Sequence, residues 1–134
     1  MFTLVKIQNS GRNVPEPERI SLQSTLLADY GTPVSVKAGL ATLLSSTTTV
    51  LPTHLVLSGT GTKRLLAARI TPDMIFETTV TAAPDSMRAG SEYTLSADGK
   101  CLTATTVSGT TRGAVLVDAS QAKAAGDTVL VRFC

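Results

Sequence analysis

The chain has 134 residues, which is the length of one domain, and its composition excludes several classes of protein. Apolar residues make up 43% of the chain and charged residues only 16%, so it is too apolar to remain disordered. The net charge is +2, because 12 basic residues are set against 10 acidic ones. We therefore expect neither a nucleic acid nor a membrane as a partner.

The two cysteines, Cys101 and Cys134, are too few for a secreted disulfide scaffold and fit free thiols in a reducing compartment. Lys6 and Gln8 interrupt the first apolar run, so no secretory signal is expected, and no run of 18 apolar residues could span a bilayer. The sequence predicts a soluble product made in the cytoplasm.

Residues 1–19 are predicted to form an extended N-terminal arm. Gly11, Pro15 and Pro17 lie among polar residues with no apolar period, and each proline favours extended backbone in the residue before it. Residues 20–28 fit either a strand or a short helix, and extended chain is the preferred interpretation.

Residues 20–134 are predicted to form a single β domain. From Gly31 onward, short Val-, Thr- and Leu-rich runs alternate with turn residues every eight to twelve positions. Gly39 and the pair Asp98-Gly99 mark two hairpin turns. The runs typical of buried strands are 54–57, 65–70, 114–117 and 128–133. The fold class is therefore mainly β, a small β-barrel or β-tulip-like domain.

One or two short helices are also expected. Asp118 is a suitable N-cap for residues 119–125, which Gly126 would close, and Thr71 with Pro72 is a typical helix start.

A weak internal repeat relates residues 31–70 to residues 90–133, in the order strand, turn, strand, gap and two further strands. Chance similarity between two Thr- and Val-rich stretches is the alternative. The matches at an offset of 59 residues are Gly31 with Gly90, Val34 with Tyr93, Val36 with Leu95 and Val56 with Val115.

The sequence contains no complete catalytic motif, so no enzyme, metal or cofactor is predicted. His54 is the one histidine, and it is expected to face solvent or to be hydrogen-bonded at the edge of the core. The stretch 59–63 lacks the spacing of a phosphate-binding loop, and Glu16 and Glu18 fall in the predicted arm, where nothing would desolvate them.

Residues 89–133 resemble the C-terminal part of tailed-phage head decoration (capsid cement) proteins of the lambda type. The resemblance covers about a third of the chain and consists of turn glycines, strand valines and two Asp-containing turns. The matching positions are Gly90, Leu95, Asp98, Gly99, Gly113, Val115, Asp118, Ala119, Gly126, Asp127, Val129 and Val131.

The resemblance implies a virion protein on the outer surface of a phage head. It implies a homotrimer at local three-fold positions, with the major capsid protein as its partner and head stabilisation as its role. An extended arm that adds to a sheet edge of the shell would give such a protein affinity without a pocket. A strand completing the protein's own barrel, or a disordered start, is the alternative for the arm. The predicted partner-binding residues are Phe2, Leu4, Val14, Pro15, Pro17, Arg19, Ile20 and Leu22.

Three other functions remain open. A tail, baseplate or fibre component would have a similar Thr-rich β composition. A glycan-binding attachment module predicts an exposed Tyr30 or Tyr93 beside a groove, and a small hydrolase would have to use His54.

Overall fold

The computed structural model describes residues 1–7, 15–22, 28–58 and 64–134, and these residues form strands and turns only. The prediction of a mainly β fold with a small barrel is confirmed. The strands in chain order are β1 Thr3–Ile7, β2 Glu18–Leu22, β3 Pro33–Lys37, β4 Leu40–Leu43, β5 His54–Ser58, β6 Arg64–Arg69, β7 Met74–Thr79, β8 Glu92–Leu95, β9 Leu102–Thr106, β10 Gly113–Asp118 and β11 Thr128–Arg132.

The first sheet is a closed five-stranded barrel with the order β2-β4-β3-β5-β6. All its pairs are antiparallel except β2 with β4, which run parallel and complete the closure. Alternate residues of each strand point inward, so this small barrel is filled by side chains. Its core contains Ile20, Leu22, Val34, Val56 and Leu65.

The second sheet has six strands in the order β1-β7-β11-β10-β8-β9. An isolated parallel bridge between Val80 and Leu102 brings the chain just after β7 back to β9. The larger of the two hydrophobic cores packs on this sheet, with Phe76, Leu116 and Val131 among its members.

Strands β2–β6, here called the first unit, and strands β7–β11, the second unit, have the same topology. In each unit the pairing of the fourth strand with the fifth contains a bulge: the register shifts between Val56 and Ser58 in β5 and between Leu116 and Asp118 in β10. The order β6-β5-β3-β4 corresponds strand by strand to β11-β10-β8-β9, and β2 pairs with β6 as β7 pairs with β11. The parallel β2–β4 pair corresponds to the Val80–Leu102 bridge.

The backbone hydrogen bonds just before β3 and just before β8 also correspond between the two units. The Gly31 N–H donates to the Val56 carbonyl at 2.8 Å, and the Gly90 N–H donates to the Leu116 carbonyl at 2.8 Å. Both glycines have positive φ, 81° and 89°, a conformation that a side chain disfavours. The loop before each of these strands therefore turns in the same way.

The two units are joined by shared core and backbone contacts. Leu44 and Leu55 belong to the first unit but are buried in the core of the second sheet. The Arg112 N–H donates to the Thr48 carbonyl at 2.8 Å, and Gly99 lies directly against the backbone of Leu44. Both units therefore contribute to the larger core, while the smaller core belongs to the first unit.

The two predicted short helices are corrected to turns. The Asp118 carboxylate accepts the Ser120 N–H, and the Asp127 carboxylate accepts the N–H groups of Lys123 and Ala124, so local side-chain bonds replace a helical ladder. The Met74 N–H donates to the Thr71 carbonyl, which makes one turn before β7 starts. The four residues between β6 and β7 also leave no room for a helix.

The predicted arm over residues 1–19 is also corrected where the structure describes it. β1 pairs antiparallel with β7, and the Phe2 side chain is fully buried in the second sheet's core. Glu18 and Arg19 begin β2 and pair with β6. These segments belong to the β body because their apolar side chains fill its two cores. Residues 8–14 lie outside the described part.

Candidate functional site

The eight residues predicted to bind a partner do not form one surface. Phe2 contacts the Phe133 ring with centroids 5.3 Å apart, while Ile20 and Leu22 fill the first barrel. Leu4 is half-buried against the second core, and Val14 lies outside the described residues. Burial thus removes Phe2, Ile20 and Leu22 from contact with a partner.

Three residues of that set keep accessible side chains. Pro15 is half-buried, and Pro17 and Arg19 are exposed at the start of the first barrel. They lie along and just before β2, so the part of the predicted contact that remains available belongs to the first unit.

A hydrogen-bonded network that the sequence did not reveal lies at one end of the first barrel. His54, only 3% exposed, contacts the Glu18 carboxylate through Nε2 at 2.7 Å and the Thr53 hydroxyl through Nδ1 at 2.8 Å. The Thr53 oxygen also accepts the Val36 N–H at 2.8 Å, so this hydroxyl contacts both the β3 backbone and the His54 ring. The Glu18 carboxylate accepts a hydrogen bond from His54 Nε2, so both ring nitrogens of the buried histidine have a partner.

The hydrogen bond from His54 holds the pKa of the Glu18 carboxyl below its usual value, and the Arg69 guanidinium, 3.5 Å away, acts in the same direction. Hydroxyl, imidazole and carboxylate are connected in the same order as in a hydrolase triad. Here, however, the hydroxyl oxygen is engaged by a strand N–H, and His54 lines none of the three cavities described below. The network therefore has a structural role: it links the side chains of β2 and β5.

Sequence reasoning placed His54 correctly as a hydrogen-bonded histidine at a core edge, but it assigned Glu18 to a solvated arm. The two residues are 36 positions apart, and their contact depends on β2 closing the barrel. The signal available in the sequence was the alternation of Glu18 with Ile20 and Leu22. Residues i and i+2 of a strand share a face, so Glu18 lies on the side of β2 that faces the barrel core.

The described residues contain no group of three or more His, Cys, Asp or Glu side chains placed to hold a metal ion. Among the same residues, we find no helix with the length and apolar character needed to cross a membrane.

An open groove of about 270 Å³ lies on the outside of the second sheet. Glu77 of β7 and Asp118 of β10 flank it, Leu130 of β11 forms its floor, and Gln121 and Thr128 complete the lining. A second open groove of about 270 Å³ continues from Glu77 toward the β1 side. The carboxylates of Glu77 and Asp118 make the first groove suitable for binding a cationic side chain.

A smaller apolar pocket of about 50 Å³ lies where the two units meet. Leu4, Leu57 and Ile70 line it, and Tyr30, 48% exposed, stands at its edge. Tyr93, the other tyrosine, is buried, and its hydroxyl accepts the Arg88 N–H at 2.6 Å. Tyr30 is therefore the tyrosine available for contact with a partner.

The chain matches no known protein family, and no curated protein matches it.

Proposed function

We propose that this chain is a structural protein of a bacteriophage virion, which binds the outer surface of the head and stabilises it. Its partner is the major capsid protein, and it acts as a homotrimer at local three-fold positions. It carries out no reaction and needs no cofactor.

The observation that carries the proposal is the resemblance of residues 89–133, which make up strands β8–β11 together with their turns. Its glycines occupy positions that constrain the backbone: Gly90, Gly99 and Gly126 have positive φ. At Gly113 an added Cβ would lie 1.8 Å from the Tyr93 carbonyl oxygen. The resemblance thus rests on residues that determine this fold.

Two close-packed β units that both contribute to the larger core also suit a cement protein. A protein that holds a shell together must resist deformation, and close-packed interiors have low compressibility. The eleven strands provide broad, polar outer faces, so contact with a large partner can be spread over weak interactions that several copies multiply.

The test is sedimentation of the purified chain with phage heads that lack decoration proteins and, separately, with tails. We expect the chain to sediment with heads and to raise the temperature at which they release DNA. Binding to tails alone would instead assign the chain to a tail, baseplate or fibre.

A glycan-binding attachment module is the second candidate, and the exposed Tyr30 beside the apolar pocket favours it. Aromatic rings provide stacking surfaces for apolar ligand faces. A glycan array that loses a signal when Tyr30 is replaced by Ala would support this candidate, and an array without any signal would exclude it.

A further inference from the structure

The outer faces of the two units can be compared position by position, because strand register and bulges correspond. In the first unit, Leu66 of β6 lies between Arg19 of β2 and Ser58 of β5. In the second unit, Leu130 of β11 lies between Glu77 of β7 and Asp118 of β10. Leu66 and Leu130 therefore occupy the same place in the two units.

The adjacent row of each face follows the same correspondence. Ser21 pairs with Arg64 in the first unit, and Thr79 pairs with Thr128 in the second. We call the two surfaces the basic face and the acidic face. The basic face consists of Arg19, Ser21, Ser58, Arg64 and Leu66, and the acidic face consists of Glu77, Thr79, Asp118, Thr128 and Leu130.

The equivalent faces carry opposite charge. Two arginines stand on the basic face and two carboxylates on the acidic face, while Arg132 lies half-buried at the far end of the latter, two residues beyond Leu130. The leucine between the charges is half-buried in both units. Opposite charge around a matching apolar centre is the arrangement that complementary interfaces use.

We propose that the basic face of one copy of this chain docks on the acidic face of a second copy. An arginine of the first copy enters the groove between Glu77 and Asp118, where an Arg–carboxylate pair forms, and Leu66 meets Leu130. Both faces are on every copy, so the contact is heterologous and repeats head to tail. Three copies joined head to tail in a closed ring form the trimer of the proposed function. The inference therefore rests on that function and identifies the surfaces that hold the trimer together.

Charge reversal on each face tests the contact. Arg19→Glu makes the two faces repel, as does Glu77→Lys, and we expect each to weaken self-association about tenfold or more. The double variant Arg19→Glu with Glu77→Lys restores opposite charges and is expected to recover most of the association. Asp85→Lys is the matched control, since it makes the same acid-to-lysine change as Glu77→Lys at an exposed position outside both faces.

The measurement is sedimentation velocity over a concentration series, at low and at high salt, with circular dichroism to confirm that each variant is folded. Oligomers of the parent chain that weaken with salt, are lost in both single variants and return in the double variant support the inference. A parent chain that stays monomeric, or single variants that assemble like the control, would overturn it.

Head binding, measured separately, distinguishes this inference from the proposed function. Variants that assemble normally but no longer bind heads would show that the faces serve the capsid, which overturns the self-docking. A monomeric parent that binds heads rejects the inference alone, and an oligomer that ignores heads rejects the proposed function alone.

Discussion

His54 shows how much one side chain contributes to closing the first barrel. Among the described residues, His54 links β5 to Glu18 of β2 through its side chain. Both of its ring nitrogens have a hydrogen-bond partner. Removing the partner of a buried polar group costs more free energy of folding than an ordinary hydrogen bond contributes, because the group is left unsatisfied.

We predict that His54→Ala lowers the free energy of unfolding by about 1–3 kcal/mol, because the Thr53 hydroxyl and the Glu18 carboxylate both lose a hydrogen-bond partner and β2 loses its side-chain link to β5. Glu18→Gln keeps an acceptor oxygen for the Nε2–H and should lose less. Urea denaturation followed by circular dichroism measures both values. A His54→Ala variant as stable as the parent would contradict the role of the network.

Gly39 and Gly99 provide a matched pair for separating backbone conformation from close packing. Both have positive φ, 77° and 72°, and both follow the first strand of their unit's hairpin. A Cβ on Gly39 would have no neighbour within 4 Å, whereas a Cβ on Gly99 would lie 2.5 Å from the Leu44 carbonyl oxygen.

We therefore predict that Gly39→Ala costs about 1–2 kcal/mol, the left-handed conformation alone. Gly99→Ala should cost a further amount of about 1–3 kcal/mol, because the backbone of Leu44 has to move. Thermal unfolding of the two variants side by side measures the difference. Equal losses would show that the contact between the units is loose at Gly99.

At the scale of elements, β1 decides how the second sheet is completed. It covers the edge of β7 and carries Phe2 into the core, where Phe2 and Phe76 both contact the Phe133 ring, with centroids 5.3 and 5.5 Å away. Three aromatic rings in contact bury a large apolar surface in a chain with only 4% aromatic residues.

Phe2→Ala is predicted to lower the free energy of unfolding by about 3–5 kcal/mol, the usual cost of removing a buried ring. Val5→Ala on the same strand, where the side chain is about half exposed, is the control and should change stability by less than about 0.5 kcal/mol. Denaturant titration tests both. If residues 1–7 acted as a free arm, Phe2→Ala would leave the midpoint unchanged.

The turn between β10 and β11 depends on ionised aspartate. The N–H groups of Lys123 and Ala124 donate to the Asp127 carboxylate at 2.8 and 3.0 Å and hold its pKa below the ordinary value of 3.8. Hydrogen bonds from Ser96 and Lys100 lower the pKa of Asp98 in the same way, and the Ser120 N–H lowers that of Asp118.

These shifts predict a direction for the pH dependence. Because the folded-state pKa is lowered, the stabilisation is fully present above pH 3.8 and is lost as the pH falls through the folded-state value. Asp127→Asn should therefore destabilise the protein at neutral pH and lose less stability on acidification than the parent. Unfolding midpoints between neutral and acid pH measure this, with the exposed Asp85→Asn as control. Parallel curves for parent and Asp127→Asn would contradict the assignment.

At the scale of the whole molecule, the chain is two copies of one five-stranded plan that share an interior. Leu44 and Leu55 extend from the first unit into the second sheet's core, so neither unit buries all its apolar surface alone. Equivalent positions on the two outer faces carry opposite charges, with Arg19 in the first unit and Glu77 in the second.

We predict a single cooperative unfolding transition for the whole chain, since loss of one unit exposes the core of the other. Differential scanning calorimetry should give one peak whose van't Hoff enthalpy equals the calorimetric enthalpy. Leu44→Ala, as a variant of the shared core, should lower the midpoint without splitting the peak. Two resolved transitions would show that the units fold independently.

The strands from Pro33 onward follow local chemistry, and the sequence was sufficient to locate most of them. Alternating Val residues predicted β3, short apolar runs predicted β5, β6, β10 and β11, and Gly39 and Gly99 marked turns that the structure places there. β7 was not predicted, because Glu77 and the threonines of 78–79 weaken its apolar signal.

What the amino-acid sequence alone determined was the β class, the small barrel and the turn positions, because propensity, alternation and glycine conformation act within a few residues. Only the tertiary structure decided that β1 and β2 join the body, that Glu18 meets His54, and that two units share one core. Those outcomes depend on pairings between distant segments, and a short apolar strand such as Thr3–Ile7 carries no local sign of which edge it will cover.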